Sequence, residues 1–271
     1  MQKQFHFLCG LPRSGSTVLA SILSQNPDVY ASPNSPLVTV MVNVHTHLQK
    51  TEQARAFLQP TQIHDVLQGI MDGMYHFSDA TVVLDKSRAW PHLDNIALLT
   101  QTLGYKPKFV ATVRDLPSIV SSFVAKIESN PDQVSFVDEA LLHRGLAITT
   151  ANRSKFLFSE YGPIHEGWHA LQKALASEHS EQFFLVEYDD LIDAPEKTLA
   201  ALYNFLEIDP FIHDFKNIQN LTPEDDTVYK IPGLHSVRPE LKKESRNPAE
   251  VIGYELYERF ADIPHFWRKE I

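Results

Sequence analysis

A short apolar run, a glycine-bracketed turn and a helical repeat follow one another near the start of this chain. No other stretch restricts the fold as much. Phe5-His6-Phe7-Leu8-Cys9 suits a buried strand, Gly10-Leu11-Pro12-Arg13-Ser14-Gly15-Ser16-Thr17 a tight loop, and Val18-Leu19-Ala20-Ser21-Ile22-Leu23 the start of a helix that Asn26-Pro27 ends. A loop of this kind aims successive backbone N–H groups at one point, at the positive end of the helix dipole, and so receives an anion. The phosphate loop of nucleotide hydrolases reads G-x-x-x-x-G-K-[ST]. Gly10, Gly15 and Thr17 keep three of its places, but Ser16 stands where the lysine belongs and the nearest cation is Arg13. That lysine reaches the β- and γ-phosphates, and the hydroxyl after it ligates their Mg²⁺. Without it, the loop suits a shorter anion, one phosphate carrying one further group. The competing reading is a glycine-rich turn with no ligand.

Composition narrows the class. The 271 residues allow one large α/β domain or two small ones, and 43% hydrophobic with 21% charged residues describes an ordinary globular chain with a real core. A formal charge of −10 argues against nucleic-acid partners and against a basic membrane-surface protein. An anionic ligand therefore needs a local basic pocket. The single cysteine, Cys9, excludes an internal disulfide and any multi-cysteine metal site. The stretch Phe5–Leu11, interrupted by His6, is too short for a signal peptide or a membrane span, so a cytoplasmic setting is expected.

Four short β-branched or aromatic runs read as buried strands: Gln4–Cys9, Thr81–Leu84, Lys108–Val113 and Phe183–Glu187. Helical periodicity marks Ser16–Gln25, Pro36–Lys50, Pro60–Tyr75, Pro117–Glu128, Phe136–Phe158, His165–Ser177, Pro195–Leu206 and a last helix from Pro248 to about Ala261. Alternating strands and helices predict an α/β, three-layer fold with a mostly parallel central sheet and helices on both faces. Ligands of such sheets sit beyond the carboxyl ends of the strands. No second domain is visible, so residues 1–271 are expected to form one.

A second anion site follows the strand Phe109–Val113. Asp115 is placed to cap the next helix and Pro117 falls in its first turn. Arg114 and Ser122 lie eight residues apart, about two helical turns. They are candidates to grip one phosphate from two sides; an arginine–carboxylate pair beside an ordinary helix serine is the alternative.

Together the two motifs resemble the sulfotransferases that use 3′-phosphoadenosine-5′-phosphosulfate (PAPS). Pro12-Arg13-Ser14-Gly15-Ser16-Thr17 is similar to that family's 5′-phosphosulfate loop, and Arg114 with Ser122 to its 3′-phosphate pair. Arginine in the first loop resembles the tyrosylprotein and bacterial branches. Val186-Glu187-Tyr188-Asp189-Asp190-Leu191 resembles a further family segment and adds Tyr188 to the cofactor-binding candidates. The resemblance implies a P-loop NTPase-like sulfotransferase fold and transfer of a sulfuryl group from PAPS to a hydroxyl or amine, without a metal. It implies Arg13 and Lys86 as the catalytic cations, Lys86 lying in Leu84-Asp85-Lys86-Ser87-Arg88 at a strand end. A late basic loop in the family closes over the 3′-phosphate; Arg238, Lys242 and Lys243 are the candidates here, a solvated charge run being the alternative.

Two expectations stay open. The acceptor, whether small molecule, glycan, lipid or peptide, is not legible in the sequence. Neither is the general base. Many family members place a glutamate shortly after the first helix, whereas this chain reads Ser32-Pro33-Asn34-Ser35-Pro36 and has no Asp or Glu between Asp28 and Glu52. His45, His47, Asp85 and His92 are the substitutes considered. A P-loop kinase with a degenerate loop, and a non-catalytic PAP- or nucleotide-binding protein of the same fold, are the rival functions.

Overall fold

Alternation along the first strand sets up the layers. In the computed structural model, which describes residues 3–244 and 246–268, β1 (Gln4–Gly10) sends Phe5, Phe7 and Cys9 into one core and Leu8 into another. Five parallel strands form one sheet in the order β2-β3-β1-β4-β5, with β2 at Val29–Asn34, β3 at Val82–Lys86, β4 at Phe109–Val113 and β5 at Phe183–Glu187. On the first face, Phe7, Phe109 and Trp90 pack with residues of α2 (Leu37–Lys50), α4 (Pro60–Met74), α5 (Leu93–Leu103), α6 (Leu116–Glu128) and α9 (Pro163–Leu175). On the second, Leu8, Leu84 and Val110 meet α1 (Ser16–Leu23), α10 (Tyr188–Asp193) and α11 (Pro195–Leu206). The three-layer α/β reading holds.

The remaining helices are α3 (Glu52–Phe57), α7 (Phe136–His143), α8 (Thr150–Leu157), α12 (Pro248–Ile252) and α13 (Tyr254–Ala261). Two expected helices are each divided. The stretch Phe136–Phe158 breaks at Gly145, whose φ of 67° closes a Schellman turn: Leu146 N–H reaches Leu141 O at 3.0 Å and Gly145 N–H reaches Leu142 O at 2.9 Å. The last helix breaks at Gly253, where φ is 84°. The sequence reading also omitted β2 and the helices α3, α5 and α10. Val29–Asn34 is an edge strand, where Pro33 is tolerated because its missing N–H faces no partner. Register slips between Ala31 and Asn34, and the slip leaves Asn34 paired with Lys86.

Because the chain steps from β1 out to β2 and back through β3 before crossing to β4, strand order reverses at β1. The crevice beyond the carboxyl end of β1 is where such sheets hold ligands.

Candidate active site

All five strand ends converge on one cleft. Beyond β1 lies the loop 10–17; β2 ends in Asn34 and β3 in Lys86; Arg114 follows β4 and Tyr188 follows β5. The cleft has a volume of about 620 Å³. Eight lysine and arginine side chains line it against two glutamates, so a chain of net charge −10 builds a strongly positive pocket at the switch point.

The loop owes its shape to its glycines. Gly10 adopts φ 116°, and a Cβ there would stand 2.2 Å from the Thr112 carbonyl oxygen, so no side chain fits between β1 and β4. Gly15 adopts φ 96° beneath the Tyr188 ring, which a Cβ would meet at 3.0 Å. No side chain caps the N-terminus of α1 and no carboxylate stands in its first turn. Its N–H groups and dipole are thus available to an anion, with Ser16, Thr17 and Pro12 on the same wall.

Ser14 departs from its expected role. Its buried hydroxyl lies 2.5 Å from Leu11 O, 2.9 Å from Thr112 O and 2.6 Å from Thr112 Oγ1, and its N–H is directed at Leu11 O. It ties the loop to β4 and offers nothing to a ligand.

Two cation clusters meet in the cleft. In the first, Lys86 Nζ lies 3.4 Å from Thr17 Oγ1 and 3.0 Å from Glu224 Oε1. Burial pulls its ammonium below the ordinary lysine range, and the facing Glu224 works against that shift. In the second, Arg13 Nε donates to Ser122 Oγ at 3.3 Å, and its Nη1 donates to the carbonyl of Leu234. Arg114 stacks on the Tyr188 ring at 4.0 Å and lies 3.4 Å from the Arg13 carbonyl. Arg13 therefore links the two halves, its backbone in the loop and its guanidinium beside Ser122. Asp115 caps α6 as expected, accepting from Ser118 N–H at 2.8 Å, which fixes where Arg114 leaves the strand. Arg238 and Lys242 reach the cleft edge; Lys242 is exposed and pairs with Glu240 at 2.5 Å. Lys243 turns away to Asp189, 2.9 Å distant.

None of the four base candidates faces the cleft. Asp85 is fully buried, its carboxylate taken by the Tyr75 hydroxyl and by Trp90 Nε1 at 2.7 Å. Burial raises its pKa, and hydrogen bonds offset part of the rise. His45 and His47 lie on α2 away from the lining, and His92 pairs with exposed Glu166 at 3.5 Å. What fills the space beside Asn34 comes from the tail. Glu224 Oε1 accepts from Asn34 N at 3.1 Å and Oε2 from Asn34 Nδ2 at 2.7 Å; His235 Nε2 stands 3.1 Å from the same amide, and Asp226 lies behind His235. The sequence signal for this arrangement was slight: apolar Ile231 and Leu234, both buried here, within an otherwise polar segment.

Residues 6–213 match the model of the Sulfotransferase family. The chain belongs to that family. A protein-tyrosine sulfotransferase of Drosophila melanogaster is 23% identical over 233 residues, which take in 80% of this chain and 42% of the fly protein. The chain thus spans less than half the length of the curated relative it matches. Two solved sulfotransferases share the fold. One, mouse SULT7A1 complexed with PAP, superposes with a TM-score of 0.53 at 13% identity, over 96% of this chain and 82% of that one. The other, STF9 from Mycobacterium avium, gives 0.50 at 11% identity over 97% and 77%. The family match stops short of the tail, so Glu224, Asp226 and His235 lie outside it. Among the described residues, no three His, Cys, Asp or Glu side chains are grouped to hold a metal ion, and no helix is long and apolar enough to cross a membrane.

Proposed function

We propose that this chain transfers a sulfuryl group from PAPS to a hydroxyl or amine acceptor and releases PAP. The observation that carries the reading is that two cation clusters open onto one cavity: Lys86 with Thr17 and the α1 N-terminus, and Arg114 with Ser122 and Arg13. A donor with a phosphosulfate at one end of an adenosine and a phosphate at the other needs both; a nucleoside triphosphate needs one, together with Mg²⁺ ligands. Pro12, Gly15, Ser16, Thr17 and Lys86 would hold the 5′ end. Arg114 and Ser122 would hold the 3′-phosphate together with Arg13, whose guanidinium, expected to serve as a catalytic cation, lies beside Ser122 instead; Arg238 and Lys242 stand at the rim and Tyr188 holds Arg114 in orientation. Bound PAPS supplies an activated sulfuryl group whose departure leaves charge on a phosphate oxygen. Lys86 and the loop N–H groups stabilise that charge, and fixed positive groups in a dry site do so most effectively. Similarity to a protein-tyrosine sulfotransferase makes a phenolic hydroxyl the first acceptor to try.

A thermal-shift panel of PAP, ATP–Mg²⁺ and GTP–Mg²⁺ tests the reading. PAP alone should raise Tm, and PAP release from PAPS should be indifferent to EDTA. At a ligand concentration of 100 Kd the stabilisation is about 2.7 kcal/mol, a shift of several degrees. Stabilisation by ATP–Mg²⁺ without PAP would mean a kinase; PAP binding without turnover would mean a binding protein.

A further inference from the structure

The end of β2 carries no carboxylate, yet the tail brings a titratable pair to that spot. His235 Nδ1 lies 2.5 Å from Asp226 Oδ1, and Asp226 Oδ2 accepts the backbone N–H of His235 at 2.9 Å. Asp226 can only accept, so the imidazole keeps its proton on Nδ1 and leaves a lone pair on Nε2. That lone pair is met by the Asn34 amide N–H at 3.1 Å, a bond an entering acceptor hydroxyl has to displace, and both His235 and Asn34 line the cleft.

We propose that His235 is the general base of the transfer, that Asp226 orients it, and that Asn34 holds its Nε2 at the end of β2. The inference rests on the PAPS-dependent reading above. Four groups face the imidazole besides Asn34: Asp226; Glu224, with Oε2 3.4 Å from Nδ1; Lys86, behind Glu224; and the ring of Tyr229, 5.5 Å away. Burial lowers the His235 pKa below the ordinary histidine value; Lys86 adds to this, while Glu224 and Asp226 oppose it. The shift favours the neutral ring, the form that accepts a proton, and the imidazolium that results forms between two carboxylates. Glu224 does not serve. Its Oε1 is paired with Lys86, it is not among the residues that line the cleft, and although burial alone would raise its pKa, Lys86 and His235 bring it below the glutamate range.

The step balances. The acceptor oxygen forms its bond to sulfur as its proton passes to His235 Nε2. The sulfur–oxygen bond to the phosphate breaks, and its electron pair stays on the phosphate oxygen facing Lys86. The imidazolium returns its proton to solvent after the product leaves. The segment is held firmly enough for this role: Ile231 and Leu234 are buried, Arg13 bonds the Leu234 carbonyl, and the Ile218 N–H reaches Pro239 O at 2.7 Å.

The test uses the full chain labelled with ¹⁵N-histidine. NMR should find His235 as the Nδ1–H tautomer, and Asp226→Asn should lower its pKa. PAP release from PAPS is then followed against pH, with phenol and with the more acidic 4-nitrophenol as acceptors. Wild-type kcat should rise with pH through the His235 pKa. His235→Gln should keep PAP affinity and the KM for PAPS, lose that acidic limb and lower kcat with phenol about 100-fold. The loss should be smaller with 4-nitrophenol, which is largely ionised without help. Asp226→Asn should move the limb to lower pH, a shift that a merely structural role would not produce. An Nε2–H tautomer, or a His235→Gln enzyme with the wild-type rate and limb, overturns the assignment. Failure of the transferase reading looks different: the wild type itself releases no PAP, and the base assignment falls with it.

Discussion

Replacing Lys86 by methionine is expected to lower turnover by about 10²–10³-fold while changing PAPS affinity far less. The side chain is buried at the end of β3, 3.4 Å from Thr17 Oγ1, beside the uncapped N-terminus of α1. A cation there acts on charge that grows during transfer, and such charge is small in both the free protein and the PAPS complex. Its loss therefore falls on kcat. The substitution has a second consequence. Glu224 is paired with Lys86 at 3.0 Å, with side-chain exposures of 8% and 4%, so removing one partner leaves a buried carboxylate uncompensated, at a cost of about 3–5 kcal/mol. The double variant Lys86→Met with Glu224→Gln separates the two effects. Tm should recover toward wild type, because an amide replaces the stranded charge, and turnover should stay low. Kinetics of PAP release alongside thermal denaturation decide it: if turnover recovers with Tm, Lys86 acts only through stability.

How much of this site was legible in the sequence depends on how local its geometry is. The loop 10–17 could be read because a strand, two glycines and a helix start lie within about twenty consecutive residues, and their geometry follows from the chain itself. Arg114 and Ser122 were legible for the same reason, joined by a helix whose cap and first-turn proline were visible. Even there, local reading missed Ser14, whose hydroxyl turns inward because Thr112, 98 residues on, offers two oxygens to it. The edge strand β2 was hidden by Pro33 within it and by Pro27 and Pro36 on either side, which read as turn where an edge position makes Pro33 harmless. The base was the least legible part. Glu224 and His235 meet Asn34 across 190 and 201 residues, from a segment without secondary structure, and only tertiary packing of Ile231 and Leu234 brings them there. Periodicity carries no information about such a contact. The sequence pointed to a missing glutamate at the end of β2, and the fold supplies carboxylates and an imidazole there from the other end of the chain.

Arg114→Ala should weaken PAP binding by about 10–100-fold and leave the affinity for adenosine 5′-phosphosulfate, which lacks the 3′-phosphate, nearly unchanged. A hydrogen bond to a charged group contributes about 1.5–3 kcal/mol, which sets the scale. Among the described residues the Arg114 guanidinium makes one hydrogen bond, from Nη1 to the Arg13 carbonyl at 3.4 Å, and keeps its other donors for a ligand. Its only carboxylate neighbour among the described residues is Glu244 at 3.8 Å, beyond hydrogen-bond reach, and its plane is held against Tyr188 at 4.0 Å. Stacking fixes the orientation without consuming the N–H donors, so little entropy is lost when an oxyanion arrives. Arg114→Lys keeps the charge but not the fork or the stack, and should recover only part of the loss. Tyr188→Ala should weaken PAP less than Arg114→Ala does, through a mobile rather than an absent arginine. Calorimetric titration of both nucleotides against the three variants checks the assignment. Equal losses for the two ligands would place Arg114 at the 5′ end, beside Lys86 and Thr17, and the division of the cleft into two anion sites would have to be redrawn.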